Sequence, residues 1–181
     1  MIVPAADIQK TAMFTGHRLI SAVECNRLRL ELPALVTDLY AEGITNFISG
    51  AALGFDTLAA QAVLSVRDSG LPVVLWLAVP CLEQDARWRP ADQEVYSSLT
   101  KRADHLLYTS LTPYYNGCMQ VRNRSMVESA SVCIAYFDGE RRGGTASTYR
   151  LAQSFGRRLI NLCPPARNAA QLRLSETDGA D

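Results

Sequence analysis

Two glycines and a carboxylate lie where an apolar segment gives way to an alanine-rich one, in the stretch ISGAALGFDTLAA. Gly50 and Gly54 are four residues apart, and Asp56 follows shortly after. Glycines between a strand and a helix leave backbone N–H groups open to a ligand, and the helix N-terminus adds positive partial charge. The segment therefore favours a site where Gly50 and Gly54 hold phosphate and Asp56 accepts ribose hydroxyls. Asp56 could equally cap the helix without a ligand, and the G-x-x-x-G spacing matches neither the dinucleotide nor the P-loop pattern.

A second glycine pair follows another apolar segment, in ERRGGTAST. Gly143 and Gly144 precede Thr145, and Arg141 and Arg142 stand directly before them. Glycines beside arginines at the start of a helix favour anion binding. The alternative is that Thr145 only caps the helix.

The segment VRNRSMVESA carries an amide among apolar residues at helical spacing. Asn123 falls on the stripe that includes Met126, and a buried amide must find hydrogen-bond partners. Those partners are either nearby backbone groups or the edge of a base or ribose. Arg122 and Arg124 flank Asn123, so one could reach a phosphate while the other is solvated.

Two further segments follow strands and carry polar groups. TGHR contains Gly16 and Arg18, which are weaker phosphate candidates. In PCLEQDARW, Gln84 and Trp88 are four residues apart and would share a helical face. Trp88 could cover a base, although ordinary half-buried packing is the commoner role of such a residue.

The elements that position these residues alternate between strand and helix, which predicts an α/β fold with a doubly wound, mostly parallel, Rossmann-like sheet. TNFIS, PVVLWLAVP, DHLLY, SVCIAYF and RLINL read as strands, and residues 82–103 as largely helical with a break near Pro90. Pro33 should kink or restart the long helix before TNFIS. Ligands in such sheets bind at the carboxyl ends of the strands. The loops TGHR, SGAALGFD, VPCLEQ and DGERRGGT should therefore gather on one edge.

Composition sets the broad class. The 181 residues predict a single domain over residues 1–163 and a loose tail over residues 164–181. Lys plus Arg and Asp plus Glu each number 18, and this neutral balance argues against a nucleic-acid partner. Five scattered cysteines and two histidines predict reduced thiols, a cytoplasmic protein and no metal site. Neither a signal peptide nor a membrane-spanning run is visible.

Five segments in this order resemble the YpsA-like branch of the SLOG superfamily over roughly residues 13–162: FTGHR, FISGAALGFDTLAAQAV, VPCLEQDARW, GCMQVRNRSMVESASVCIAYFDG and RGGTASTYRLAQSFGRRLINL. The resemblance implies a Rossmann-like fold, a cytoplasmic bacterial or phage protein and recognition of a nucleotide-derived molecule. Relatives include the DNA-uptake protein DprA and the LOG phosphoribohydrolases. Relatives often dimerise, so the resemblance also implies a homodimer.

The glycine-rich element of the superfamily matches Gly143, Gly144 and Thr145. LOG enzymes have G-G-x-G-T-x-x-E there, and their glutamate serves catalysis. Counting from Gly144, that place is held by Thr148 in this chain. A hydroxyl cannot replace a carboxylate that stabilises a ribose cation or handles a proton. The departure argues against hydrolase activity.

The sequence thus predicts binding or sensing of a nucleotide or nucleotide-derived ligand, of the ADP-ribose or NAD type, with no cofactor beyond it. One alternative is an N-glycosidic hydrolase in which Asp56 or Glu83 supplies the missing carboxylate. A second alternative is binding of single-stranded nucleic acid through Arg122, Arg124, Arg141 and Arg142.

Overall fold

Strands and helices alternate through residues 3–164, the part of the chain that the computed structural model describes. The strands are β1 (Thr11–Gly16), β2 (Asn46–Ser49), β3 (Val74–Val79), β4 (His105–Tyr108), β5 (Val132–Tyr136) and β6 (Arg158–Asn161). The helices are α1 (Ala22–Ala41), α2 (Phe55–Asp68), α3 (Pro90–Arg102), α4 (Cys118–Glu128) and α5 (Gly144–Ser154). A short 3-10 helix, Ala5–Lys10, precedes β1.

The six strands form one sheet in the order β4-β3-β2-β1-β5-β6. Every neighbouring pair is parallel. The chain builds outward from β1 to β4 and then returns to place β5 on the other side of β1. This reversal makes the gap above β1 and β5 the topological switch point, where open α/β sheets bind ligands. The predicted α/β fold with a parallel sheet is confirmed.

The two faces of the sheet carry separate layers of helices. Along β1, Phe14 packs in one apolar cluster with residues of α1, α2 and α3, whereas Met13 packs in another with Met126 of α4 and Ala152 of α5. Successive residues of a strand point to opposite faces, so the strand needs apolar residues at every position. All five residues of β5 are buried for the same reason.

The helix boundaries agree with the sequence in some places and differ in others. α2 ends at Asp68, and Gly156 follows α5 with φ +66°, the conformation typical of a glycine just after a helix. α1 runs through Pro33 as one helix, so the expected second start is absent from it. Residues 82–88 form turns, and the prediction of helix there is wrong. α3 begins only at Pro90, which occupies its first turn.

The predicted tail, residues 164–181, lies outside the described residues except for Pro164. Over residues 3–164, no helix has both the length and the apolar character that crossing a membrane requires. The same residues contain no cluster of three or more His, Cys, Asp or Glu side chains placed to hold a metal ion.

Candidate functional site

A cleft of about 370 Å³ opens at the carboxyl ends of β1 and β5, at the switch point. It brings together residues from the end of β1 and the loop after it, from the loop after β2, and from α2, α4 and α5. We call it the cleft, and its lining consists of Thr15, Gly16, His17, Arg18, Ala52, Asp56, Met119, Arg122, Asn123, Gly144 and Thr145. Of the predicted binding residues, Gly16, Arg18, Asp56, Arg122, Asn123, Gly144 and Thr145 are therefore together, whereas Gly50, Gly54 and Gly143 are not part of this lining.

Gly50 and Gly54 are approached by the protein itself. A Cβ on Gly50 would lie 1.5 Å from Nη1 of Arg122, so the guanidinium occupies the space that the glycine leaves. A Cβ on Gly54 would lie 2.4 Å from the carbonyl oxygen of Arg18, and Gly54 has φ +80°. Close packing within the fold therefore explains why both positions carry glycine. The sequence predicted that a phosphate lies against Gly50 and Gly54. The structure corrects this, because Arg122 fills the space beside Gly50 and the loop after β1 fills the space beside Gly54.

Asp56 and Arg122 form a buried pair beneath the cleft. Asp56 is 7% exposed and Arg122 is 4% exposed, and Oδ2 of Asp56 lies 3.9 Å from Nη1 of Arg122. Burial raises the pKa of Asp56 to about 6, although Arg122 and the backbone N–H groups of Ala52 and Gly50 oppose the shift. Burial also lowers the pKa of Arg122, which Asp56 opposes. Burial therefore outweighs the attraction of Arg122 in setting the pKa of this carboxyl group.

The guanidinium of Arg122 has more donors than partners. Nη1 donates to the carbonyl of Ala78 at 3.3 Å, and Nη2 faces the sulfur of Met119 at 3.9 Å. Among the described residues, Nε of Arg122 is one of two buried side-chain polar atoms without a hydrogen-bond partner. An unpaired donor on a buried cation is costly, and Arg122 is one of the residues that line the cleft.

The N-terminus of α5 forms the opposite wall. Gly143 is the N-cap with φ +110° and lies in a neighbouring groove, whereas Gly144 begins the helix. No atom lies within 4 Å of a Cβ built on Gly144. Thr145 is not the N-cap, so that alternative from the sequence is wrong. The N-terminus of α5 has no side-chain cap, and uncapped N–H groups at the start of a helix suit an anion.

Asn123 is held by Thr148. Nδ2 of Asn123 donates to Oγ1 of Thr148 at 2.8 Å, and that hydroxyl donates to the carbonyl of Gly144 at 2.8 Å. Thr148 is 2% exposed. At the position where LOG enzymes carry their glutamate, this chain has a buried hydroxyl that links α4 to the start of α5. The side-chain oxygen of Asn123 remains available to the cleft.

Other polar residues surround the cleft. His17 was not singled out from the sequence, although it stands in TGHR; its Nε2 lies 3.0 Å from Oδ1 of Asp138. Arg124 faces outward and pairs with Glu128 at 2.8 Å. Glu83 lies outside the cleft, in a second pocket with Gln84 and Trp88.

Comparison with known proteins places the chain in a family. The YpsA model, described as the YspA SLOG family, matches residues 21–160. The chain belongs to this SLOG family. Among its relatives is the UPF0398 protein BH1768 of Halalkalibacterium halodurans, 22% identical over 116 residues. That match covers 64% of this chain and 61% of the relative. The resemblance predicted from the sequence is confirmed.

Two solved structures share the fold. DNA processing protein A from Helicobacter pylori, described for its single-stranded DNA binding mode, superposes with a TM-score of 0.64 at 21% identity. The match covers 97% of this SLOG chain and 75% of that one. DprA from Streptococcus pneumoniae gives a TM-score of 0.67 at 18% identity, over 97% of this chain and 59% of that one. At these identities the likeness establishes the fold alone.

Proposed function

We propose that this SLOG protein binds a nucleotide or a nucleotide-derived ligand, of the ADP-ribose or NAD type, in the cleft, and that it acts as a sensor. The observation that carries the proposal is that two groups suited to an anion line the same cleft: the buried Arg122, whose Nε has no partner, and the start of α5, which has no side-chain cap. Burying the Arg122 cation costs free energy, and a phosphate bound in the cleft would offset that cost by pairing with it.

Each group of the cleft then has a role. The backbone N–H groups at Gly144 and Thr145 hold phosphate together with the dipole of α5. Arg122 donates through Nε, and Arg18, which is exposed at the rim, neutralises the remaining charge. Asp56 and the side-chain oxygen of Asn123 accept hydrogen bonds from ribose hydroxyls.

The same geometry argues against the hydrolase alternative. Hydrolysis of an N-glycosidic bond needs a carboxylate at the reacting carbon. Thr148 supplies only a hydroxyl that is already bonded to Gly144 and Asn123. Asp56 is assigned to the ribose hydroxyls, and Glu83 lies in the other pocket. Binding without turnover is therefore the favoured activity.

The test is thermal melting of the wild type and of Gly144→Val with AMP, ADP-ribose or NAD. A ligand at about 100 times its dissociation constant stabilises the folded state by roughly 2.7 kcal/mol. For a domain of this size that raises the Tm by about 5 to 11 degrees. Wild type should show the rise with at least one ligand. Gly144→Val should fold normally, because its Cβ meets open space, and should show none.

Ser154→Val is the matched control, since it places the same side chain on an exposed position at the far end of α5. It should melt and respond like wild type. A folded Gly144→Val that still responds fully would contradict the proposal that α5 holds the phosphate.

Binding of single-stranded nucleic acid is the second candidate. The likeness to DprA from Helicobacter pylori makes the sequence-based argument against a nucleic-acid partner doubtful. A groove between α4 and α5 adjoins the cleft, and Arg124 and Arg150 line it. Affinity for an oligonucleotide that falls steeply as salt rises would favour this candidate. Saturable binding of a mononucleotide with little salt dependence would favour the first.

A further inference from the structure

A second pocket continues from the cleft along the carboxyl edge of the sheet. It has a volume of about 570 Å³ and lies between the loops that follow β3 and β4. We call it the aromatic pocket, because Trp88 and Tyr114 line it together with Leu82, Pro113 and Gln84. Arg18 and Met119 line both this pocket and the cleft, so one extended ligand can occupy the two.

The two aromatic side chains differ in how they are held. The ring of Trp88 packs edge-on against Tyr96, with centroids 5.4 Å apart, and Trp88 adjoins the apolar core. Tyr114 is 67% exposed. Aromatic rings on the wall of a pocket offer stacking surfaces for a planar ring, and stacking accepts any base.

Gln84 adds a hydrogen-bond acceptor to the wall of the aromatic pocket. Its Nε2 donates to the carbonyl of Ala51 at 3.1 Å, which fixes the orientation of the amide. Oε1 is consequently an acceptor, and it is the second buried polar atom without a partner among the described residues. A ring that carries an amino group would supply the missing donor.

The loop that carries Gln84 is held in place by a backbone hydrogen bond and contains a strained residue. The backbone N–H of Leu82 donates to the carbonyl of Thr112 at 2.9 Å, which joins the two loops around the pocket. Glu83 has φ +53°, a left-handed conformation that non-glycine residues seldom adopt. Such strain persists only where the surroundings impose it, and it collects at ligand sites.

We infer that the aromatic pocket takes the amine-bearing heteroaromatic ring of a purine nucleotide, such as adenine, while the cleft holds its phosphate. This inference rests on the proposed function of the cleft. It adds that the ring contributes affinity of its own and that an exocyclic amine is preferred.

The experiment measures, by titration calorimetry, the binding of AMP, of ribose 5-phosphate and of purine riboside 5′-monophosphate, which lacks the amine. AMP should bind more tightly than either. Tyr114→Ala should weaken AMP about fivefold or more, as loss of a stacked base does. The same variant should leave ribose 5-phosphate within about twofold of wild type, because the phosphate is held elsewhere.

Tyr115→Ala is the matched control, because Tyr115 is the adjacent tyrosine, is also exposed, and is not among the residues that line the aromatic pocket. It should change neither affinity. Gln84→Leu should remove the preference for AMP over purine riboside 5′-monophosphate.

The outcomes separate this inference from the proposed function. If AMP binds no more tightly than ribose 5-phosphate, or if Tyr114→Ala and Tyr115→Ala have equal effects, the ring does not occupy the aromatic pocket, although the cleft still binds phosphate. If neither AMP nor ribose 5-phosphate binds, this inference fails; the proposed function fails as well if ADP-ribose and NAD also leave the Tm unchanged.

Discussion

Replacing Gly50 with alanine tests whether the buried pair of Arg122 and Asp56 explains this glycine. The added Cβ would lie 1.5 Å from Nη1 and 2.5 Å from Cζ of Arg122, and 2.6 Å from Oδ2 of Asp56. Gly50 is not among the residues with positive φ, so alanine brings no backbone strain of its own. The effect of the substitution is therefore steric, and Arg122 must leave its position.

The expected cost follows from what the displacement does. Moving the guanidinium away leaves Asp56 buried without its cation, and separating a buried ion pair costs about 3–5 kcal/mol. At roughly 2–4 degrees per kcal/mol for a chain of this size, the Tm should fall by about 6 to 20 degrees. Gly144→Ala should change the Tm little, since its Cβ meets open space.

Thermal melting followed by circular dichroism measures both variants. The substitution Gly50→Ala is also made in the Arg122→Met variant, because methionine lacks the guanidinium that the added Cβ would contact. Gly50→Ala should cost much less in that background than in wild type. The reasoning is refuted if Gly50→Ala melts within about two degrees of wild type, or if its full cost persists when Arg122 is absent.

Three further outcomes are expected. The pKa of Asp56 is raised to about 6 in the folded protein, so its protonated form stabilises the fold most at low pH, and this contribution is lost as pH rises through 6. Denaturant unfolding should therefore show the free energy of unfolding falling by about 1–2 kcal/mol from pH 5 to pH 7.5 through this group, and Asp56→Asn should flatten that part of the profile. No base should be released from AMP, because Thr148 stands where a carboxylate is needed; release that tracks protein concentration and vanishes in Asp56→Asn would contradict this. Gly54→Ala should lower the Tm, because φ is +80° and the Cβ would lie 2.4 Å from the carbonyl oxygen of Arg18; an unchanged Tm would show that the loop after β1 yields freely.

The sequence predicted what local pattern and topology determine. The apolar strands that alternate with helical segments identified the parallel sheet, and the loops that follow the strands do share one edge. Because that edge is shared, Gly50, Asp56, Asn123 and Gly144 could be expected to line one cleft; Asp56, Asn123 and Gly144 line it, whereas Gly50 does not.

Long-range contacts account for the rest. The partner of Gly50 is Arg122, from a helix much later in the chain, and local spacing cannot reveal such a contact. One local signal for Arg122 did exist: Cys118, Arg122 and Met126 are spaced by four residues, and all three are buried. Residues 82–88 have helical spacing, but the bond from Leu82 to Thr112 ties them to another loop instead.

Arg122 also joins the two halves of the molecule. It projects from α4, in the layer that covers one face of the sheet, to Asp56 in α2, in the layer that covers the other. Its contact with the carbonyl of Ala78 fastens it to β3 on the way. Because Asp56 and Arg122 both line the cleft, a molecule held there lies against residues of both helix layers at once.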